Sequence, residues 1–342
     1  MEKEYDVVVV GAGSAGCALA YRLAASSSLQ VLLLEAGSAA RNPMIHIPLG
    51  FAFLMKDHPN NWGYRSQPEP HASGRAVELP RGKVLCGTSA INGMVYVRGQ
   101  AEDYERWARL GNDGWSYDEV LPYFKRSEDC ADGASHYHGR GGPLHVGRVN
   151  NDFPVSDAFI EAAQQAGHPF NADINADSQD GVAWFPTNIK NGRRWTSARA
   201  FLGAGSQLPN LTVVSDTPTE RVLFNGKRAI GVSCLYRGKP TVVGARREVV
   251  LSAGAINSPQ LLELSGIGQA ERLQALAIDV VQDLPGVGEN LHDHWNAYIK
   301  PRVAGAKSYF SESKPLAMLK NLLRYLLMRR GFLANPAALV TV

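Results

Sequence analysis

The glycines Gly11, Gly13 and Gly16 stand in the run GAGSAG, directly after the apolar stretch Val7–Val10 and ahead of small, helix-forming residues that continue to about Ala25. A second apolar run, Val31–Leu34, ends at the acid Glu35. Strand, glycine turn, helix, strand and acid, in that order, suit the binding of a dinucleotide. Gly11 allows the tight turn. Gly13 has no Cβ, so a pyrophosphate can approach the backbone there. Gly16 lets the helix lie close on the strand. The first-turn amides of Ser14 and Ala15 and the positive end of the helix dipole then face the phosphates. Glu35, followed by Ala36, closes the second strand where a carboxylate can accept from ribose hydroxyls. The turn by itself does not separate FAD from NAD. Its place near the start of the chain and the following Glu-Ala-Gly lean towards FAD.

Other residue groups offer less. His136, His138 and His145 are spaced like metal ligands, but no Cys or carboxylate completes a set in the local sequence, and no metal is expected. Arg193, Arg194 and Arg199 are explained as well by surface solvation and helix-end pairing as by an anion site. His292 and His294 flank Asp293, and a hydrogen-bonded structural turn is preferred to a catalytic or metal-binding role. Cys17, Cys86, Cys130 and Cys234 are scattered without a CxxC and read as reduced thiols. Trp62 and Tyr64 sit in a loop rich in Pro, Asn and His, where packing on the core competes evenly with ligand contact.

The elements that must position these groups are legible from pattern. Asp103–Cys130 reads as one or two helices, and Pro154–Gly167 as a helix with apolar residues at helical spacing. Gly142–Val146 reads as a strand. Leu211–Gly244 shows period-2 runs separated by Asn225-Gly226 and Arg237-Gly238, a small antiparallel meander. Glu248–Leu251 reads as a strand, followed by a tight turn at Ser252–Gly254 and a helix with Ser258 as N-cap and Pro259 at its first position. Pro315–Gly331 is a basic amphipathic helix, read first as part of a substrate-side domain and second as a membrane-surface contact. Ala337–Val342 reads as a strand cut mid-run.

Two stretches then carry a resemblance. Leu79–Tyr104, LPRGKVLCGTSAINGMVYVRGQAEDY, resembles the first signature of the glucose–methanol–choline (GMC) flavoprotein oxidoreductases. Arg247–Gly268, REVVLSAGAINSPQLLELSGIG, is similar to the second. The resemblance implies an α/β fold: an FAD-binding Rossmann-like domain over 1–140 and 195–297, interleaved with a sheet-based substrate domain over 141–194 and 298–342, incomplete at the C-terminus. It implies cofactor contacts from Val84, Thr88, Asn92, Gly93, Met94, Val95, Val222, Ala253 and Gly254. Cys86 replaces the first of two glycines in the signature and is strained if that position needs a positive φ. Ile91 stands where some members carry a histidine bonded to the flavin, so the FAD is expected to be non-covalent. The implied activity is oxidation of a primary alcohol, choline or an aliphatic or aromatic alcohol, by hydride transfer to flavin, with oxygen or a quinone-like carrier as electron acceptor. The family's catalytic histidine, and the second His or Asn that positions the hydroxyl, have no match among these residues, so no catalytic residue is named. The chain alone is expected to be inactive, and a flavin-binding remnant without turnover is the alternative.

Composition bounds the remainder. The chain has 342 residues, 45% hydrophobic and 20% charged, with a net charge of +3. The charge is too small to argue for nucleic acid. No apolar stretch approaches the roughly 18 residues of a spanning helix. The opening MEKEYDVVVV lacks a signal-peptide layout. Cytoplasmic location, with the basic helix as a candidate contact to the inner membrane, is the expectation.

Overall fold

The computed structural model describes residues 3–148, 153–205, 207–294 and 296–342. They form two compact units. The first comprises Met1–Arg41, Leu54–Ile91 and Thr196–Ile299, the second Asn42–Phe53, Asn92–Trp195 and Lys300–Val342. The boundary expected at residue 140 therefore lies elsewhere. Residues 92–140 group with the second unit because their backbone pairs forward: Glu128–Cys130 runs parallel to Leu144–Val146, and Val95 bridges to Thr187.

The first unit is built on strands β1 (Glu4–Val10), β2 (Val31–Leu34), β3 (Leu211–Val214), β4 (Thr219–Asn225), β5 (Arg228–Tyr236) and β6 (Lys239–Leu251). Their order is β3-β2-β1-β6-β5-β4. β3, β2, β1 and β6 are parallel neighbours, with Val7 opposite Val31 and Val10 opposite both Leu34 and Leu251. Val8, Val9, Leu32 and Leu33 are wholly buried. Strands covered on both faces carry continuous apolar runs rather than alternation, which is why β1 and β2 read VVVV and VLLL.

Two expectations are corrected. Leu211–Val214 does not join the meander; it pairs in parallel with β2 at the sheet edge. The last meander strand and the strand before the second signature are one element, β6, antiparallel to β5 at its start and parallel to β1 at its end. Period-2 alternation places a segment in a sheet but does not name its partner.

Helix α1 (Ser14–Ser26) follows β1, and α2 (Gly254–Leu264) follows β6. The end of α1 is held by Asn210, whose Nδ2 donates to the carbonyls of Ala24, Ser27 and Leu29, each at 3.0 Å. Asn210 immediately precedes β3, so this amide ties helix, loop and edge strand together. Asn210→Ala is expected to lower stability by about 1–2 kcal/mol, because it strands carbonyls that the helix cannot satisfy. Urea denaturation of the apo chain checks this.

In the second unit, helices Ala101–Arg109 and Tyr117–Ser127 begin with Asp103 and Glu119 accepting from the N–H groups of Gln100 and Ser116, the capping-box return bond. Helix Pro154–Gln165 and α3 (Pro315–Met328) lie where sequence periodicity predicts. The terminal apolar run is shorter than expected and has a partner: Val340–Thr341 pairs antiparallel with Ala183–Trp184. Phe153, Tyr325, Phe332, Leu333 and Leu339 form a buried cluster. Among the described residues no helix is long and apolar enough to cross a membrane.

Candidate functional site

At the C-terminal ends of β1, β2 and β6 the first unit opens a cleft of about 480 Å³, within the size range of small-molecule and cofactor pockets. Gly11, Gly13, Ser14, Ala15, Glu35, Ala36, Thr88, Ala253 and Gly254 all line it. Residues from four distant stretches of sequence thus meet in one place, where α/β sheets bind ligands.

The glycines divide by role. Gly11 has φ +97, and a Cβ there would come within 2.7 Å of the Ala253 backbone. A Cβ on Gly16 would lie 2.0 Å from the Gly11 carbonyl oxygen and 2.6 Å from Ser252 Oγ. Both residues are glycine so that the turn, α1 and the residues after β6 can touch; Gly16 itself lies behind the cleft lining. Gly13 differs. Its φ of −75 and ψ of −162 are open to any residue, and an added Cβ would meet only the Ser252 carbonyl oxygen, at 3.9 Å. The fold does not need glycine there. An unfilled cradle in a cleft wall is what a closely approaching pyrophosphate requires.

Two helix N-termini border the cleft. Neither α1 nor α2 has an acid in its first turn or a side-chain cap, so their free amides and positive dipole ends remain available to an anion. The helix start after β6 differs from the sequence reading. α2 begins at Gly254, so Ser258 and Pro259 lie inside it, and the Ser258 hydroxyl accepts from the Ala253 N–H at 3.0 Å.

Glu35 ends β2 and is 5% exposed. Its carboxylate accepts from the N–H of Ala12 at 3.0 Å and of Gly37 at 2.8 Å. Burial pushes its pKa up to about 7; the backbone bonds pull the other way, and nearby Asp216 adds to the rise. Desolvation of the carboxylate outweighs its backbone amide donors here.

The first-signature turn contributes Thr88, whose Oγ1 accepts from the Gly82 N–H at 3.2 Å. Cys86 has φ 86 and is wholly buried, and its N–H donates to the Ala12 carbonyl at 2.8 Å. The left-handed conformation expected for a glycine is therefore adopted by a cysteine, at a cost of about 1–2 kcal/mol that burial of its thiol side chain partly offsets. Val84 is wholly buried and Val222 nearly so, with its N–H donating to Ser265 Oγ at 2.8 Å; neither lines the cleft. Asn92, Gly93, Met94 and Val95 belong to the second unit. There Arg194, wholly buried, donates to the Asn92 backbone and side-chain oxygens at 2.7 and 2.8 Å and to Pro48 at 3.2 Å. Of the roles left open for Arg194, neither surface solvation nor helix-end pairing describes it: its buried guanidinium donates to backbone and side-chain oxygens of the second unit.

Several cleft residues escaped the sequence reading. Thr217, Pro218 and Thr219 form part of the wall between β3 and β4, and Thr219 Oγ1 is buried without a hydrogen-bond partner among the described residues. An orphaned hydroxyl in a cleft suits a polar ligand. Trp62 and Tyr64 line the cleft as a stacked pair, rings 5.7 Å apart and 7° from parallel. Tyr64 Oη donates to Asn257 Oδ1 at 2.5 Å. For Trp62 and Tyr64 the sequence had left ligand contact open beside packing on the core; Asn257 carried no signal. His292 and His294 are exposed in an irregular segment rather than a turn, where Asp293 accepts from Arg81 at 3.5 Å.

The histidine group of the second unit is an ion network. His138 Nε2 lies 2.8 Å from Asp173 and its Nδ1 3.0 Å from Glu128, which also accepts from Arg98 at 3.0 Å and from the Gly139 N–H at 2.9 Å. Glu128, Cys130 and His138 are close enough to hold an ion. Both ring nitrogens of His138 and the Glu128 carboxylate are already engaged by these partners, which is how a structural ion network is arranged.

Residues 5–296 match the family described as GMC oxidoreductase. The chain is 45% identical over 320 residues to the mitochondrial choline dehydrogenase of Mus musculus, covering 92% of this chain and 54% of that protein. It is 42% identical over 328 residues to the oxygen-dependent choline dehydrogenase of Brucella suis biovar 1, covering 96% and 60%. Among solved structures it is similar to an FAD-dependent oxidoreductase from Chaetomium thermophilum, with a TM-score of 0.87 at 31% identity, covering 98% of this chain and 61% of that one. The chain thus spans little more than half the length of the curated relatives it matches.

Proposed function

The chain belongs to the GMC oxidoreductases, and we propose that its first unit is the FAD-holding part of an enzyme that oxidises the CH–OH group of a primary alcohol. The observation that carries this reading is the cleft, where the open face of Gly13, two uncapped helix N-termini and the buried carboxylate of Glu35 converge. The choline dehydrogenases among its relatives support choline or a similar alcohol as the substrate class. Bound there, FAD would supply the hydride-accepting chemistry of alcohol oxidation.

The chain's own residues bind and orient. Gly11, Gly13, Ser14, Ala15, Thr88, Ala253 and Gly254 offer backbone to the phosphates and flavin, and Glu35 with Ala36 faces the ribose. Gly16, Val84 and Val222 support them from behind, and Asn92–Val95 are carried over from the signature. Ile91 has no nucleophilic atom, so the cofactor is held without a covalent bond. The oxygen-dependent relative favours oxygen over a quinone-like carrier as acceptor. A cytoplasmic enzyme in contact with the inner membrane is the accompanying reading.

Alcohol oxidation also needs a base for the hydroxyl proton. Among the described residues no histidine lines the cleft. We infer that this unit holds the cofactor without itself turning over alcohols, which keeps a flavin-binding remnant as the second reading.

Glu35 gives the test. Ribose hydroxyls donate to an ionised carboxylate, so binding lowers a pKa that stands at about 7 in the free protein. The free protein then holds the proton more tightly than the complex. Affinity is full above about 7 and falls as pH drops below it, by up to about ten-fold per unit. The unliganded fold has the opposite dependence. Its raised Glu35 contributes stability that is full below the ordinary value of 4.5 and is lost as pH rises through about 7. Fluorescence titration with FAD between pH 5.5 and 8.5 should show the rise for wild type and a flat, weaker profile for Glu35→Gln. A flat wild-type profile would remove Glu35 from the site.

A further inference from the structure

Within the second unit, a cavity of about 700 Å³ is lined by four arginines (Arg148, Arg324, Arg329 and Arg330), by His145, and by Asn191 and Asn335, together with apolar residues and glycines. No carboxylate is among its described lining residues. We propose that this cavity binds the phosphate group of an anionic phospholipid, with the leucine face of α3 lying in the adjoining acyl boundary. The proposal is independent of the cofactor reading.

The cavity is built rather than incidental. The end of α3 is fixed to its opposite wall by Tyr325 Oη, which donates to the Gly192 carbonyl at 3.0 Å. A Cβ on Gly192 would lie 1.9 Å from the Arg329 carbonyl oxygen, so the two walls are in contact. Arg329, at φ 53, and Gly331, at φ +86, turn the chain sharply after the helix. Asn335 is 2% exposed, and its Nδ2 has no acceptor among the described residues. The carbonyls at the end of α3 carry about half a negative charge, which four guanidinium groups outweigh. Guanidinium is the group best matched to phosphate oxygens.

The source of the phosphate follows from α3. Leu316, Leu319, Leu323, Leu326 and Leu327 are exposed by 86%, 57%, 53%, 61% and 83%. The helix carries Lys320 and Arg324 and no acid. Met328, also exposed, lines the cavity and so joins the leucine face to it. At 14 residues α3 spans about 21 Å, too short for a hydrocarbon core of about 30 Å. A short helix with leucines on one side and cations beside them lies in the plane of an anionic surface.

The test is sedimentation of the 342-residue chain with vesicles of phosphatidylcholine alone or of equal parts phosphatidylcholine and phosphatidylglycerol. Binding to the mixed vesicles only, lost in high salt, is expected. Arg329→Gln with Arg330→Gln should weaken it about 25-fold, at about five-fold per charge near the surface, and Leu323→Gln with Leu327→Gln should weaken it as well. Thermal melting of both variants is measured alongside, so that misfolding is not read as lost binding. Equal binding to both vesicle types, or arginine variants that bind like wild type, would overturn the site. Tight binding of free inorganic phosphate without vesicle binding would assign it to a soluble anion and overturn the lipid source.

Discussion

Gly13→Val is expected to leave the chain folded and strip it of flavin, whereas Gly16→Val is expected to unfold it. The two glycines are three positions apart in one motif, yet their surroundings differ. A Cβ at Gly13 meets only one carbonyl oxygen, at 3.9 Å, and Gly13 lines the cleft. Its backbone angles suit valine. The branched carbons then occupy space that a pyrophosphate needs. Forcing such carbons into a filled site costs about 1–3 kcal/mol, roughly 5- to 150-fold in retention. At Gly16 the added carbon lies 2.0 Å from a backbone oxygen, and α1 cannot pack on β1 without moving. The measurements are bound flavin per chain and the apo melting temperature for each variant. Loss of both in Gly13→Val would mean that the glycine is structural and the cleft argument fails.

The second large effect is in the other unit. Arg98→Met should cost about 3–5 kcal/mol, because it leaves Glu128, wholly buried, without its guanidinium partner. His138 remains beside Glu128 and acquires a larger share of the load. Its pKa stands at about 9, raised first by the bond to Asp173 and then by Glu128. A raised histidine contributes stability that is full below 6.5 and lost as pH rises through about 9. The Arg98→Met variant should therefore be most fragile in alkaline buffer. Urea midpoints at pH 6 and pH 9.5 for wild type, Arg98→Met and His138→Gln test both statements. A loss under 1 kcal/mol for Arg98→Met at either pH would contradict the ion-network account.

What the sequence could disclose followed from how local the cause was. β1, the glycine turn, α1, β2 and Glu35 are set by neighbours within one βαβ unit, so period, glycine spacing and a terminal acid were enough. The positive φ at Cys86 was legible because the signature has glycine there. Leu211–Val214 was placed in the wrong part of the sheet because four apolar residues state that a strand exists and not where it pairs. The start of α2 was missed because Ser258-Pro259 is a strong start signal, while Gly254 enters the helix from φ +88. Thr219, Tyr64 and Asn257 reach the cleft only through topology. Arg98, Glu128, His138 and Asp173 had no spacing to connect them, since their meeting depends on several turns of chain.

The account rests on FAD held without a covalent bond in the first unit, and the visible absorption spectrum of the purified 342-residue chain, taken before and after acid precipitation, tests it most directly. The account predicts a yellow protein carrying about one flavin per chain, with all of the flavin, identified as FAD, in the supernatant after precipitation. A colourless chain that cannot be loaded with FAD but binds NADH, or flavin that remains in the pellet, would contradict it.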